Sequence, residues 1–119
     1  MPVIDAWMQH PTPRHANHEM FESLRRWTGM ERPEKPLPVE VTVAALEAAD
    51  VEVGLASAWY GPQGTLVDND EVAGFVEQAG GRLRGVAGAD LARPMAAVRE
   101  LRRAVEELGF VALRVVPWL

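Results

Sequence analysis

Ala45-Leu46-Glu47-Ala48-Ala49-Asp50-Val51-Glu52-Val53-Gly54-Leu55-Ala56-Ser57-Ala58-Trp59 reads as the end of a helix running into a short apolar strand. It lines up without gaps on Ala104-Val105-Glu106-Glu107-Leu108-Gly109-Phe110-Val111-Ala112-Leu113-Arg114-Val115-Val116-Pro117-Trp118, so the repeating unit is one helix and one strand. The pattern predicts helices over 39–49, 70–79 and 94–108, and strands over 53–57, 83–87 and 110–116. The strands are near-continuous runs of small or branched apolar residues, the composition of strands covered on both faces of a parallel sheet. For the middle helix, Asn69 is the expected N-cap, Asp70 and Glu71 follow it, Val72, Phe75, Val76 and Ala79 form one stripe, and Gly80 ends it. In the last helix Pro94 suits the first turn, and Val98, Leu101, Val105 and Leu108 line the face predicted to meet the sheet.

Outward toward the N-terminus, Pro2-Val3-Ile4-Asp5-Ala6-Trp7-Met8-Gln9-His10-Pro11 is a further apolar strand that runs into a polar, proline-closed loop. Between it and the first helix lies a proline-rich insertion over 11–38. Within that insertion Asn17 is expected to cap a helix whose Met20, Phe21, Leu24 and Trp27 recur at helical spacing before Gly29, a face predicted to lie over the strand ends or to anchor the loop. Four strands joined by three helices fit a right-handed parallel βα succession. The expected fold is therefore α/β, the N-terminal half of a TIM (β/α)8 barrel in one domain spanning 1–119, since a whole barrel takes about 250 residues.

Composition excludes several function classes. Of the 119 residues 48% are hydrophobic and 24% charged, ordinary proportions for a globular domain. The net charge of −5 disfavours nucleic acid and anionic membranes as partners. There is no cysteine, hence no disulfide framework, thiolate metal site or cysteine nucleophile. No signal-like or membrane-length apolar run is present, and the expected compartment is the cytoplasm.

The run Val3-Ile4-Asp5-Ala6-Trp7-Met8-Gln9-His10-Pro11 resembles the opening strand of the amidohydrolase-related family, metal-dependent hydrolases and decarboxylases related to aminocarboxymuconate-semialdehyde decarboxylase. The resemblance extends to Ala48-Ala49-Asp50-Val51-Glu52, Gly85-Val86-Ala87-Gly88-Ala89-Asp90 and Glu107-Leu108-Gly109-Phe110. It implies a barrel enzyme that binds zinc through the pattern Ile-Asp-x-His-x-His. Here Ile4 and Asp5 match, whereas Trp7 and Gln9 stand at the two histidine positions. Indole has no lone pair to offer a metal, and a glutamine amide is a poor ligand. The family's other ligands, on later strands, would lie beyond Leu119. No metal is therefore expected on this chain alone; zinc is implied by the resemblance only, and the poor spacing of His10, His15 and His18 argues against a loop site.

In such a barrel the active face is built just past the strand ends. The pocket candidates are Trp7, Gln9 and His10 after the first strand, Ser57, Trp59 and Tyr60 after the second, Asp90 after the third, and Arg114, Pro117 and Trp118 at the fourth. Tryptophans at one rim suit a planar carboxylated substrate. Arg114 is either a carboxylate clamp or the partner of Asp5 or Asp90, His10 either a pocket or a capping residue, and Asp90 either a helix-capping, loop or catalytic residue. Tyr60-Gly61-Pro62-Gln63-Gly64 lacks the lysine of a phosphate loop and reads as a turn. Two functions stand. One is the N-terminal half of a hydrolase or decarboxylase acting on a small carboxylated or aromatic substrate. The other is a non-catalytic remnant or assembly module that keeps the scaffold without the metal site. Open strand edges predict a homodimer or pairing with a complementary C-terminal half-barrel.

Overall fold

The computed structural model describes residues 1–117. Four strands, β1 (Ile4–Met8), β2 (Val53–Ser57), β5 (Leu83–Ala87) and β6 (Ala112–Leu113), form a parallel sheet in the order β1-β2-β5-β6, the curled half-barrel that the sequence predicts. Parallel neighbours need a crossover that carries the chain back to the same end. Helices α3 (Val39–Ala48), α4 (Asn69–Gln78) and α5 (Pro94–Glu106) supply the three crossovers. The register sets Ile4 beside Val53, Gly54 beside Leu83 and Val86 beside Ala112, which brings Met8, Ser57 and Ala87 to one rim.

The core lies where β2 and β5 meet the helices. Leu83 and Ala87 of β5 and Ala56 of β2 are shielded, and Leu46, Val72, Ala79 and Ala104 descend on them from the three helices. Gly85 is required by packing: the Phe110 ring occupies the space that a Cβ at this position would fill. The outer strands differ. Ile4, Val111 and Leu113 are exposed, and among the described residues β1 pairs only with β2 and β6 only with β5.

Several local expectations are corrected. The fourth strand is two residues long instead of 110–116, because β5 stops at Ala87 and leaves it nothing further to pair with. Phe110 instead turns its ring into the core, its N–H donating to the Ala104 carbonyl at 3.0 Å. That return shifts the buried face of α5. Ala104 is fully buried and Leu101 and Leu108 pack against the core, whereas Val98 and Val105 are half exposed. The N-cap of α4 is Asp68, not Asn69: Asp68 Oδ1 accepts from Glu71 N at 2.7 Å, and Glu71 Oε2 accepts from Asp68 N at 2.8 Å, a reciprocal capping box.

The chain also contains a hairpin that the sequence reading treated only as a turn. Strands β3 (Trp59–Gly61) and β4 (Gly64–Val67) pair antiparallel around Pro62 and Gln63. They are too short to show alternation. The insertion is broken into α1 (Pro13–Ala16), a single 3-10 turn at Glu19–Phe21 and α2 (Glu22–Thr28). Asn17 closes α1 and does not start the next helix, and the 3-10 turn is capped by His18. Phe21 packs toward the rim, but Leu24 and Trp27 remain exposed.

Candidate functional site

Insertion and hairpin are fastened over the rim by polar contacts that their residue types make obligatory. Buried Arg25 donates to the carbonyls of Ala16 at 2.6 Å and His18 at 3.3 Å and pairs with Glu22 at 2.7 Å, so one guanidinium holds α1 to α2. Its neighbour Arg32 reaches the same carboxylate at 2.9 Å, and the two arginines hold the Glu22 carboxyl below its usual range. Arg14 donates to the Leu66 carbonyl at 2.9 Å and pairs with Glu71, tying α1 to the hairpin and to α4.

Beneath this cover, the first and fourth strands meet at a single hydroxyl. Ser57 Oγ accepts from Gln9 Nε2 at 3.0 Å and from Arg114 Nη1 at 2.7 Å, while donating to the Met8 carbonyl at 3.3 Å. The Arg114 guanidinium lies 3.5 Å from the centroid of the Trp7 ring and 4.9 Å from that of Trp59. A cation held between two indoles gains cation–π stabilisation and loses water. Burial accordingly lowers its pKa. Among the described residues no carboxylate pairs with Arg114, neither Asp5 nor Asp90, and its Nε and Nη2 are buried without a partner.

His15 completes the group. It stands on α1 with its ring 5.1 Å from Trp59 and 5.0 Å from Phe21. Only 7% of it is exposed, and both ring nitrogens lack a partner, as does Trp59 Nε1. Burial, the Arg114 charge and His18 push its pKa down to about 4, so the imidazole is neutral at pH 7. Residue order carries little sign of this. A histidine inside a proline-rich insertion carries no periodicity, and only the docking of α1 brings it to the rim.

The remaining candidates go elsewhere. His10 is turned inward, 4.5 Å from the Phe75 ring, with Nε2 at 2.8 Å from the Leu37 carbonyl and Nδ1 at 2.7 Å from Thr42 Oγ1. A carbonyl can only accept, so Nε2 carries the proton and Nδ1 takes the threonine hydroxyl; neither nitrogen is left for a ligand. His18 spends Nδ1 on the Met20 N–H at 3.2 Å. Tyr60 points to the opposite face of the hairpin from Trp59, packs over Gly88, and has its phenol pKa raised by burial. It shares a hollow of about 230 Å³ with Asp90 and Val115. Asp90 accepts from Ala92 N at 3.0 Å and lies 3.6 Å from Arg93, the work of a loop carboxylate ahead of α5. Pro117 is exposed, and Trp118 lies outside the described residues.

The donor set at the first strand does not fit a divalent metal. Trp7 has no lone pair to give, the Gln9 amide is engaged with Ser57, and a fixed positive charge already sits against the Trp7 ring and the Ser57 hydroxyl. Among the described residues no three His, Asp or Glu side chains gather in a metal-holding group.

No curated protein matches the chain. Solved structures do. A 2,6-dihydroxybenzoate decarboxylase complexed with 2,6-dihydroxybenzoate superposes with a TM-score of 0.69 at 17% identity, over 94% of this chain and 38% of that one. A dihydroxybenzoic acid decarboxylase from Polaromonas sp. JS666, with bound manganese and 2-nitroresorcinol, gives 0.70 at 21% identity over 94% and 37%. A probable 2-pyrone-4,6-dicarboxylic acid hydrolase from Acinetobacter baumannii, with citric acid bound, gives 0.57 at 18% over 97% and 38%. The chain thus spans less than half the length of these structures, which share its fold. The model of the amidohydrolase family matches residues 4–118, and by that match across nearly its whole length the chain belongs to the amidohydrolase family.

Proposed function

We propose that this chain forms the N-terminal half of a barrel that hydrolyses or decarboxylates a small, planar, carboxylated compound. The observation that carries the reading is Arg114, a half-buried cation clasped by Trp7 and Trp59, with its Nε and Nη2 unpartnered among the described residues at the strand ends. A planar guanidinium is matched to a carboxylate, and indole edges and faces are matched to a flat ring. Ser57, itself held by Gln9, sets the guanidinium's orientation, Trp7 and Trp59 flank it, and Arg114 takes the carboxylate. The comparison proteins are named for dihydroxybenzoate decarboxylation and pyrone dicarboxylate hydrolysis, both reactions of flat carboxylates. The rest of the barrel, whether it continues this chain, is a second copy or is a complementary half-barrel, pairs with the open edges of β1 and β6, where Ile4, Val111 and Leu113 offer apolar surface.

Sedimentation equilibrium followed by a turnover screen tests both parts. The assembled species is incubated with benzoates and pyrone carboxylates, and carbon dioxide and ring-opened products are measured. Turnover that Arg114→Met abolishes is expected. An assembled barrel that leaves every compound unchanged overturns the reading.

A further inference from the structure

Alternation along the strands divides the sheet into two faces. Gly54 and Gly85 look toward the helices, since a Cβ at Gly54 would meet Leu46 and one at Gly85 the Phe110 ring. Their neighbours in each strand therefore face the hollow of the half-barrel. Val53, Leu55 and Val86 line it together with Ile4, and Arg84 stands beside Leu55. Arg84 is exposed, and among the described residues it makes no ion pair. Asp5 is the one acidic residue in the four strands, and its register with Gly54 puts it on the helix side. The hollow therefore presents two cations, Arg84 low on β5 and Arg114 at the rim, and its strands supply no carboxylate to either.

Closing an eight-stranded barrel fills such a hollow with about four side chains at each level, drawn from alternate strands. A second copy related by a twofold axis along the barrel would set its own β5 four strands away, hence in the same level. Two Arg84 side chains would then meet in a packed interior without a counter-charge. Like charges brought together oppose association, and a guanidinium taken out of water needs a carboxylate in place of its hydration.

We propose that the hollow face docks a half-barrel of different sequence, one that sets a carboxylate opposite Arg84, and that it rejects a second copy of this chain. The proposal rests on the barrel reading above and narrows what completes it. Apolar surface at Ile4, Val111 and Leu113 gives any partner contact area, whereas Arg84 decides which partner is accepted. The net charge of −5 conceals this preference, because the acidic residues other than Asp5 lie outside the strands that build the face.

The charge-reversed chain itself is the probe. Sedimentation velocity compares the unaltered protein, Arg84→Glu and their equimolar mixture. Each alone is expected to remain monomeric, and the mixture to form a one-to-one pair at least about tenfold more tightly than either protein pairs with itself, since a carboxylate and a guanidinium then share one level. Arg84→Leu, which removes the charge and keeps apolar bulk, is expected to pair with itself. Arg99→Glu alters the net charge equally at an exposed position of α5 and is expected to gain no partner in the same mixture. The proposal is overturned if the unaltered chain forms a discrete dimer, if the mixture pairs no better than its components, or if Arg99→Glu pairs as well as Arg84→Glu. A completed barrel of two different halves that is catalytically silent removes the hydrolase or decarboxylase reading alone. A self-paired, unaltered chain that turns over a carboxylate removes the proposal alone.

Discussion

Two buried polar clusters stand near the strand ends, and they are built on opposite plans. In the first, Asn69 is buried to 1% exposure, its Oδ1 accepts from Gly88 N at 2.9 Å, and its Nδ2 donates to the Gly88 carbonyl at 3.1 Å and to Glu100 at 3.0 Å. Arg103 closes the outer side by pairing with Glu100 at 2.6 Å and Asp70 at 2.9 Å, and that guanidinium, aided by Asn69, holds the Glu100 carboxyl below its usual range. Every side-chain donor and acceptor of that amide is used. In the second, buried His15 and half-buried Trp59 and Arg114 leave side-chain nitrogens without a partner among the described residues. A closed network fixes structure, and an open one stores the capacity to bind. The first cluster is scaffold, and the open groups of the second are the ground on which it is proposed as a site.

The comparison can be broken by mutation, and the largest effect belongs to the closed cluster. Asn69→Ala strands both backbone groups of Gly88 and is expected to cost about 2–5 kcal/mol in urea denaturation; a loss under about 1 kcal/mol would erase the distinction. Gly85→Ala is a control for packing in the apolar core. A methyl there collides with the Phe110 ring, and a loss of about 1–3 kcal/mol is expected from the same measurement. Arg103→Ala removes only the partly exposed outer pairs, so at most about 1 kcal/mol should be lost, which separates the buried amide from its surface partners.

No loss at neutral pH is expected in the open cluster. His15→Phe removes two buried nitrogens that bond to nothing in the described chain, so stability at pH 7 should hold or rise, by up to about 1–3 kcal/mol. Its signature lies in acid. The unfolded imidazole binds its proton near 6.5 and the folded one near about 4, so between those values the unfolded state holds more protons and stability declines as pH falls. Above 6.5 that contribution is constant. Thermal melts from pH 7 to pH 4 should show a shallower decline in His15→Phe than in the unaltered protein, and parallel declines would mean that His15 titrates normally.

Residue order alone determined the βα succession, the three crossover helices and the rim on which Trp7, Gln9, Trp59 and Arg114 gather, because period, caps and apolar runs are local signals. It also placed Trp7 and Gln9 where the family resemblance implies two histidine ligands, and neither side chain is a good metal ligand, a matter of residue chemistry alone. Contacts between segments distant in sequence decided the rest. The phase of α5 was set by Phe110 folding back beneath Ala104, and the β3–β4 hairpin by pairing too short to register as alternation. His10 and His15 exchanged prominence for the same reason. His10 adjoins the strand end in sequence, yet its two nitrogens are consumed by Thr42 and Leu37, whereas His15 is five residues further along and is carried to Trp59 by the arginine contacts of the insertion. A histidine's hydrogen-bonding capacity is written in its side chain, but whether that capacity is spent or left open depends on which distant groups the folded chain brings within 3 Å of it.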